Sequence, residues 1–324
     1  MKIYCASWVL PITAEPISDA AIAVEGERLA SVGPRSSVIS SFPEATVKDF
    51  GEAAIIPGLI NAHTHLELTA MRGFLDKEDS NFFAWLRKLT LARLERMTVD
   101  DLFDSAAWGA CESARAGITS VGDSSDSGAT TINALKAVGL RGIVFQESFG
   151  PDPRIVRQNM AAIKEKLARL SELQSPLVQL GISPHAPYTV SAPQLEMTAD
   201  FAITQNLPLM MHAAESLAEK EFLLHGTGGF AEGLAKRGIE WTAPGVSTIA
   251  YLQEHGILEA RTLLAHCINV DEADIETIAQ TDTRVAHCPR SNAKLGHGRA
   301  PLAAFLKRNI RVGFGSDSVA SNNS

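Results

Sequence analysis

Cysteine is scarce in this chain of 324 residues: four, at positions 5, 111, 267 and 288, with no CxxC pair among them. That spacing argues against a disulfide framework and suits a reducing, cytoplasmic setting. Basic residues are also in deficit, 29 Lys and Arg against 37 Asp and Glu for a net charge of −8, and no basic block occurs. Neither nucleic acid nor an anionic membrane is therefore expected as a partner. No apolar run approaches the roughly 20 residues that a bilayer span needs. The start, MKIYCASWVLPI, has neither a long apolar core nor a small-residue cleavage site, so no signal peptide is read. A Gly-rich phosphate loop after an early strand is missing too, which weighs against a doubly wound dinucleotide-binding sheet. What remains, at 45% hydrophobic residues, is a chain that can bury a large core and whose expected partner is a small molecule.

Two textures follow one another. Residues 1–54 hold DAAIAVEGERLASVG, apolar and polar residues alternating about Glu25-Gly26, the pattern of a half-exposed β-hairpin. Over 55–324, short β-rich runs alternate with helical ones: AIIPGLINAH, ITSVGD, LRGIVFQES, LVQLGIS, LPLMMHAAE, RTLLAHC, TRVAHCP and IRVGFGSD. Between them FFAWLRKLTLARLERM, PRIVRQNMAAIKEKLARL, APQLEMTADFAITQN and DEADIETIAQT are long and amphipathic enough for helices. Thr98 with Asp101, and Asp271 with Asp274, have the spacing of helix-start capping pairs. Eight strands separated by helices predict an α/β protein built on a (β/α)₈ barrel.

A barrel builds its site from the C-terminal ends of its strands, and chemistry concentrates there. The first strand ends in Asn61-Ala62-His63-Thr64-His65, where residues two apart share a side of the strand and can bind one metal. Taken alone, HxH reads equally well as two turn histidines. The fifth strand adds His212 and, three residues on, Glu215; the sixth ends in His266-Cys267 and the eighth in Ser316-Asp317. Three histidines and an aspartate make a metal shell with room for a water.

The phrases PGLINAHTHLEL, SPHAPYTVS, HAAES, LLAHC, HCPRSNAKLGHGRAPL and GSDSVASNNS together resemble the deaminase and chlorohydrolase branch of the amidohydrolase superfamily, from about Ala21 to the end of the chain. The resemblance implies that His63, His65, His212 and Asp317 are metal ligands, Glu215 the proton shuttle and His266 the group beside the activated water. It also implies an accessory sandwich shared between N- and C-terminal β segments. The eighth helix and the C-terminal strands of that sandwich are not in the sequence, so the chain is expected to be a fragment, poorly soluble or poorly active. Homo-oligomers are common in such a branch. The fourth strand ends in LGISPH, without the Lys or acid that bridges two ions in binuclear relatives, so one ion is expected, Zn²⁺ favoured and Fe²⁺ admitted by the same ligands.

The implied reaction is hydrolytic deamination of an adenine-bearing small molecule of the aminodeoxyfutalosine, S-adenosylhomocysteine or methylthioadenosine type. Water activated at the metal displaces ammonia from the ring, with Glu215 moving protons to the ring nitrogen and the leaving amine. The alternatives are a triazine chlorohydrolase or aminohydrolase, a guanine or cytosine deaminase, and a barrel that serves as a non-catalytic scaffold. His185 in SPHAPY is expected to bind substrate, and Glu67 and Arg72 to line the mouth and touch it. Glu95 lies near where nucleoside-deaminating relatives place a ribose-binding acid, one residue out of register. Trp85 and Phe83 read as packing residues, and His287 and His297 as groups that shape the pocket.

Overall fold

The alternating segment folds as the expected hairpin. Strands β2 (Ile17–Glu25) and β3 (Arg28–Pro34) pair antiparallel, Ala21 opposite Gly33. The turn rests on Gly26 at φ 58°, a conformation that a side chain would strain. β1 (Lys2–Val9) pairs antiparallel with β2, and parallel with β4 (Thr46–Asp49) and β5 (Ala54–Ile55). Ile3, Cys5, Ala21 and Ala23 form its small core with Val38 of the helix Arg35–Ser41. The computed structural model describes residues 1–78 and 82–323 and divides into two compact units, this one at 1–59 and a second at 60–324.

The second unit is an eight-stranded sheet whose order follows the chain: β6 (Leu59–Thr64), β7 (Ile118–Ser125), β8 (Arg141–Ser148), β9 (Val178–Pro184), β10 (Leu209–Ala213), β11 (Thr262–His266), β12 (Arg284–His287) and β13 (Val312–Phe314). Successive pairs from β7 to β13 run parallel. A parallel bridge between Thr64 and Asp317 brings the first and last strands together, reinforced by the Ser316 amide donating to Asn61 Oδ1 at 2.9 Å. The sheet thus closes as the (β/α)₈ barrel that eight buried strand runs and intervening helices predict. One strand is shorter than its sequence run: Ala54 and Ile55 pair with β1 instead, and Pro57-Gly58 separates them from β6, since a proline has no amide to give a ladder.

Close approach is built in around β6. A Cβ at Gly122 would meet Ala62 O at 2.5 Å, and one at Gly315 would meet His63 O at 2.9 Å. Both expected capping boxes form. Thr98 and Asp101 start the helix Val99–Arg115, and Asp271 and Asp274 start Glu272–Gln280, each pair exchanging backbone and side-chain hydrogen bonds. Among the described residues no helix is long and apolar enough to cross a membrane.

Candidate metal centre and active site

The pleat of β6 turns His63 and His65 to the same side, their rings edge to face at 4.9 Å. His212, from the end of β10, stacks against His65 with the two Nε2 atoms 3.2 Å apart. Asp317 Oδ1 stands 3.4 Å from His63 Nε2 and 3.6 Å from His65 Nε2. His266 joins from β11, and His63, His212, His266 and Asp317 each bring a donor atom within 4.8 Å of the others. The strand ends that deliver these groups are strained: Ala214, His266, Cys267 and Asp317 all have positive φ, 51°, 75°, 47° and 61°. Such conformations cost on the order of 1–3 kcal/mol each and survive where surrounding structure holds them.

Outer hydrogen bonds orient each ring. His212 Nδ1 lies 3.0 Å from the carbonyl of His185 and must donate to it, which leaves Nε2 as the acceptor nitrogen. His63 Nδ1 approaches the Met210 thioether at 3.1 Å, and His266 Nδ1 approaches Asn292 Oδ1 at 3.0 Å. The Nε2 atoms of His63 and His266 are buried without a hydrogen-bond partner. Asp317 Oδ2 accepts from the hydroxyls of Ser291 at 2.5 Å and Ser321 at 2.9 Å, turning Oδ1 to the histidines. Inward imidazole lone pairs, fixed from behind and facing a carboxylate, are a donor set that fits a divalent ion of the Zn²⁺ class.

Electrostatics agree with that chemistry. Burial depresses His65 to about 3 and His212 well below its ordinary value, so both are neutral and able to coordinate. Asp317 is held well below the usual carboxylate range: burial opposes its ionisation, but the His63 ring 3.4 Å away and the other facing imidazoles outweigh it. Burial raises Glu215, with His266 pulling the other way. His266 is raised because Glu215, Asp317 and Asn292 together overcome its burial.

Glu215 Oε1 sits 3.6 Å from His266 Nε2 and 3.7 Å from His297 Nε2; His297 and His287, expected to shape the pocket, do not line the cavity that Glu215 borders. Glu215 and His266 border a cavity of about 530 Å³ whose apolar wall includes Phe82, Trp85, Leu86, Leu89, Phe149 and Tyr188. Trp85 is both packed in a core cluster and part of that wall. His185 lines the cavity, with Nδ1 2.9 Å from the Thr189 hydroxyl. Burial lowers it to about 4, so the ring is neutral.

Two expectations need correction, and the shifted register of Glu95 has its structural counterpart. Arg72 does not line the cavity; its guanidinium pairs with Glu112 on the outer surface, because the chain turns into a 3₁₀ helix (Leu66–Met71) directly after the HxH strand and carries Arg72 outward. Glu67 does reach the cavity wall, but its carboxylate is already taken. Oε1 accepts from Arg93 Nε at 2.9 Å, and Oε2 from the Ser125 hydroxyl at 2.9 Å and the Ser127 amide at 3.0 Å. Glu95 lies in a separate surface groove with Arg87, Leu91 and Arg96, on the other face of its helix.

Several supporting residues escaped the sequence reading. Ser291 and Asn292 lie inside the phrase HCPRSN, which marked the loop but not the side chains that turn inward. Glu219, buried, accepts from the amides of Ala214 at 2.8 Å and Glu215 at 3.1 Å and from Thr248 Oγ1 at 2.9 Å. Its only signal was an acid at the start of the helix Leu217–His225. Arg93 and Glu147 gave no local signal at all.

Comparison with known proteins agrees with this geometry. The model of the amidohydrolase family matches residues 54–324. A 5-methylthioadenosine/S-adenosylhomocysteine deaminase of Nitratidesulfovibrio vulgaris is 32% identical over 309 residues, covering 95% of this chain and 66% of the relative. An aminodeoxyfutalosine deaminase of Deinococcus radiodurans is 31% identical over 313 residues, covering 94% of this chain and 73% of the relative. The chain thus spans about two thirds to three quarters of the length of these relatives. Among solved structures, the Helicobacter pylori aminofutalosine deaminase in complex with methylthio-coformycin superposes with a TM-score of 0.85 at 22% identity, covering 99% of this chain and 78% of that one.

Proposed function

The chain belongs to the amidohydrolase family, and from that premise we infer that it is a metal-dependent hydrolytic deaminase of an adenine-bearing small molecule. The observation that carries this reading is Glu215. A buried carboxyl, raised by that burial, stands three residues after His212, faces His266 Nε2 at 3.6 Å and opens on a cavity with an apolar, largely aromatic and leucine wall. Deamination of a ring amidine needs an acid in that position, one that delivers a proton to a ring nitrogen and then to the departing amine. Relatives named as deaminases of methylthioadenosine, S-adenosylhomocysteine and aminodeoxyfutalosine support an adenine-bearing substrate.

His63, His65, His212 and Asp317 are the proposed ligands of one divalent ion, Zn²⁺ favoured and Fe²⁺ admitted. When bound, the ion supplies a water acidic enough to ionise near neutral pH. The chain's own groups do the rest. Asp317, ionised and anchored through Oδ2 by Ser291 and Ser321, offers Oδ1 to take a proton. His266, held by Asn292 through Nδ1, presents Nε2 to the charge that develops on the ring carbon's substituents. Glu215 carries the proton to the ring and then to the leaving amine. Phe82, Trp85 and Leu89 exclude water and pack the ring. His185, neutral and on the cavity wall, hydrogen-bonds the substrate.

Ammonia release across adenine-bearing compounds, triazines and free bases tests the proposal. Turnover confined to adenine-bearing compounds supports it, whereas turnover only of triazines, guanine or cytosine moves the substrate to another class. No turnover of any adenine-bearing compound overturns it.

A further inference from the structure

Glu147, near the end of β8, is an acid that the proposed chemistry leaves unused. It lines the cavity at 8% exposure, and its Oε1 is buried without a hydrogen-bond partner. A carboxylate oxygen of Glu147 lies within 4.8 Å of ring nitrogens of His65 and His212. The cavity's other acids are engaged. Glu67 is held by Arg93 and two serines, and Asp126 by Arg93 and Lys166. Glu215 faces two imidazoles, and Asp317 takes two serine hydroxyls. A buried acceptor left empty is costly, so a native site keeps one where an incoming molecule completes it.

The helix Phe82–Arg96 sharpens what that molecule offers. It presents Phe82, Trp85, Leu86, Leu89, Thr90 and Arg93 to the cavity and no acid, since Glu95 faces another groove. Hydroxyl donors on a substrate therefore find no carboxylate on that wall. Resting on the deaminase reading, we propose that Glu147 is a specificity-determining residue that accepts hydrogen bonds from the hydroxyl groups of a sugar-like tail attached to the substrate's ring.

The test compares an adenine nucleoside with its 2′,3′-dideoxy counterpart on the wild type, Glu147→Gln and Glu147→Leu, with bound metal measured on each protein. The wild type is expected to favour the hydroxylated compound by about 10- to 100-fold in kcat/KM, the range for a hydrogen bond lost from a buried site. In Glu147→Leu that preference falls to within about threefold, in Glu147→Gln it falls part of the way, and the loss is in KM for the hydroxylated compound alone. Metal content stays unchanged. An unchanged preference, an equal loss on both compounds, or loss of metal from Glu147→Gln overturns the assignment while leaving the deaminase reading intact. A metal-loaded wild type that turns over no adenine-bearing compound overturns both.

Discussion

The amide of Asp317 donates to the carbonyl oxygen of His63 at 2.9 Å, so the bond that closes the barrel also sets the spacing of two groups that face each other in the site. Because this bond is made by backbone, replacing the Asp317 side chain leaves closure in place and removes only the carboxylate. Asp317→Ala is expected to keep its fold by circular dichroism and to lose about 10³-fold or more in turnover, with bound metal reduced. Asp317→Asn, which keeps the shape, loses nearly as much. Near-native activity in either variant contradicts the role given to this residue.

Glu67 and Arg72, five positions apart, diverge in what they support. Glu67 is buried with Arg93, and removing it leaves Arg93 with Asp126 alone and takes the acceptor from the Ser125 hydroxyl and the Ser127 amide. Glu67→Ala is expected to cost about 3–5 kcal/mol in urea unfolding. Arg72→Ala breaks only a half-exposed pair with Glu112 and is expected within about 0.5 kcal/mol of wild type, with unchanged KM. The reverse order of sensitivities would contradict the placement of these side chains.

Glu219 holds the loop that carries Glu215 by accepting from two of its amides. Glu219→Ala leaves both amides buried and unpaired, at about 1–3 kcal/mol each. The expected kinetic signature is a fall in kcat with KM little changed, since the loop positions the proton carrier while the cavity wall is untouched. Equal changes in kcat and KM would assign Glu219 to binding instead.

The buried imidazoles make a contribution to stability whose pH dependence has a definite sign. Burial lowers His65 to about 3, and His185 and His297 to about 4, against about 6.5 in the unfolded chain. Above pH 6.5 neither state protonates them and their contribution to stability is complete. As the pH falls below 6.5 the unfolded chain gains protons that the folded one refuses, and stability is lost until the folded values are reached. Each group contributes up to about 1.4 kcal/mol per pH unit in that window. Buried Asp123, Glu147 and Glu219, which burial raises, act in the opposite sense over the same window, so the readout is a difference: between pH 7 and pH 5 the urea midpoint is expected to change more favourably in His297→Gln than in wild type.

All eight barrel strands were legible because parallel strands are buried on both faces and read as continuous apolar runs. The metal-site candidates were legible because each sits at the end of such a run. What could not be read was the direction of side chains on the connections. Arg72 follows the HxH strand closely, yet the turn at Leu66–Met71 carries it outward. Glu67 meets Arg93 only once the helix Phe82–Arg96 has folded back over the barrel mouth. Ser291 reaches Asp317 across 26 residues, and Glu147 acquires its meaning from His65 and His212 on two other strands. These are long-range contacts, and no local periodicity encodes them.

Deamination is proposed to depend on an ion held by the histidine and aspartate cluster. Its most direct test is the ammonia released from an adenine-bearing nucleoside by the zinc-loaded protein, by the same protein after chelation, and after zinc is restored. One ammonia per deaminated product, loss of turnover on chelation and recovery with zinc are expected. Turnover undiminished by complete metal removal, or none from a protein that carries its ion, would contradict it.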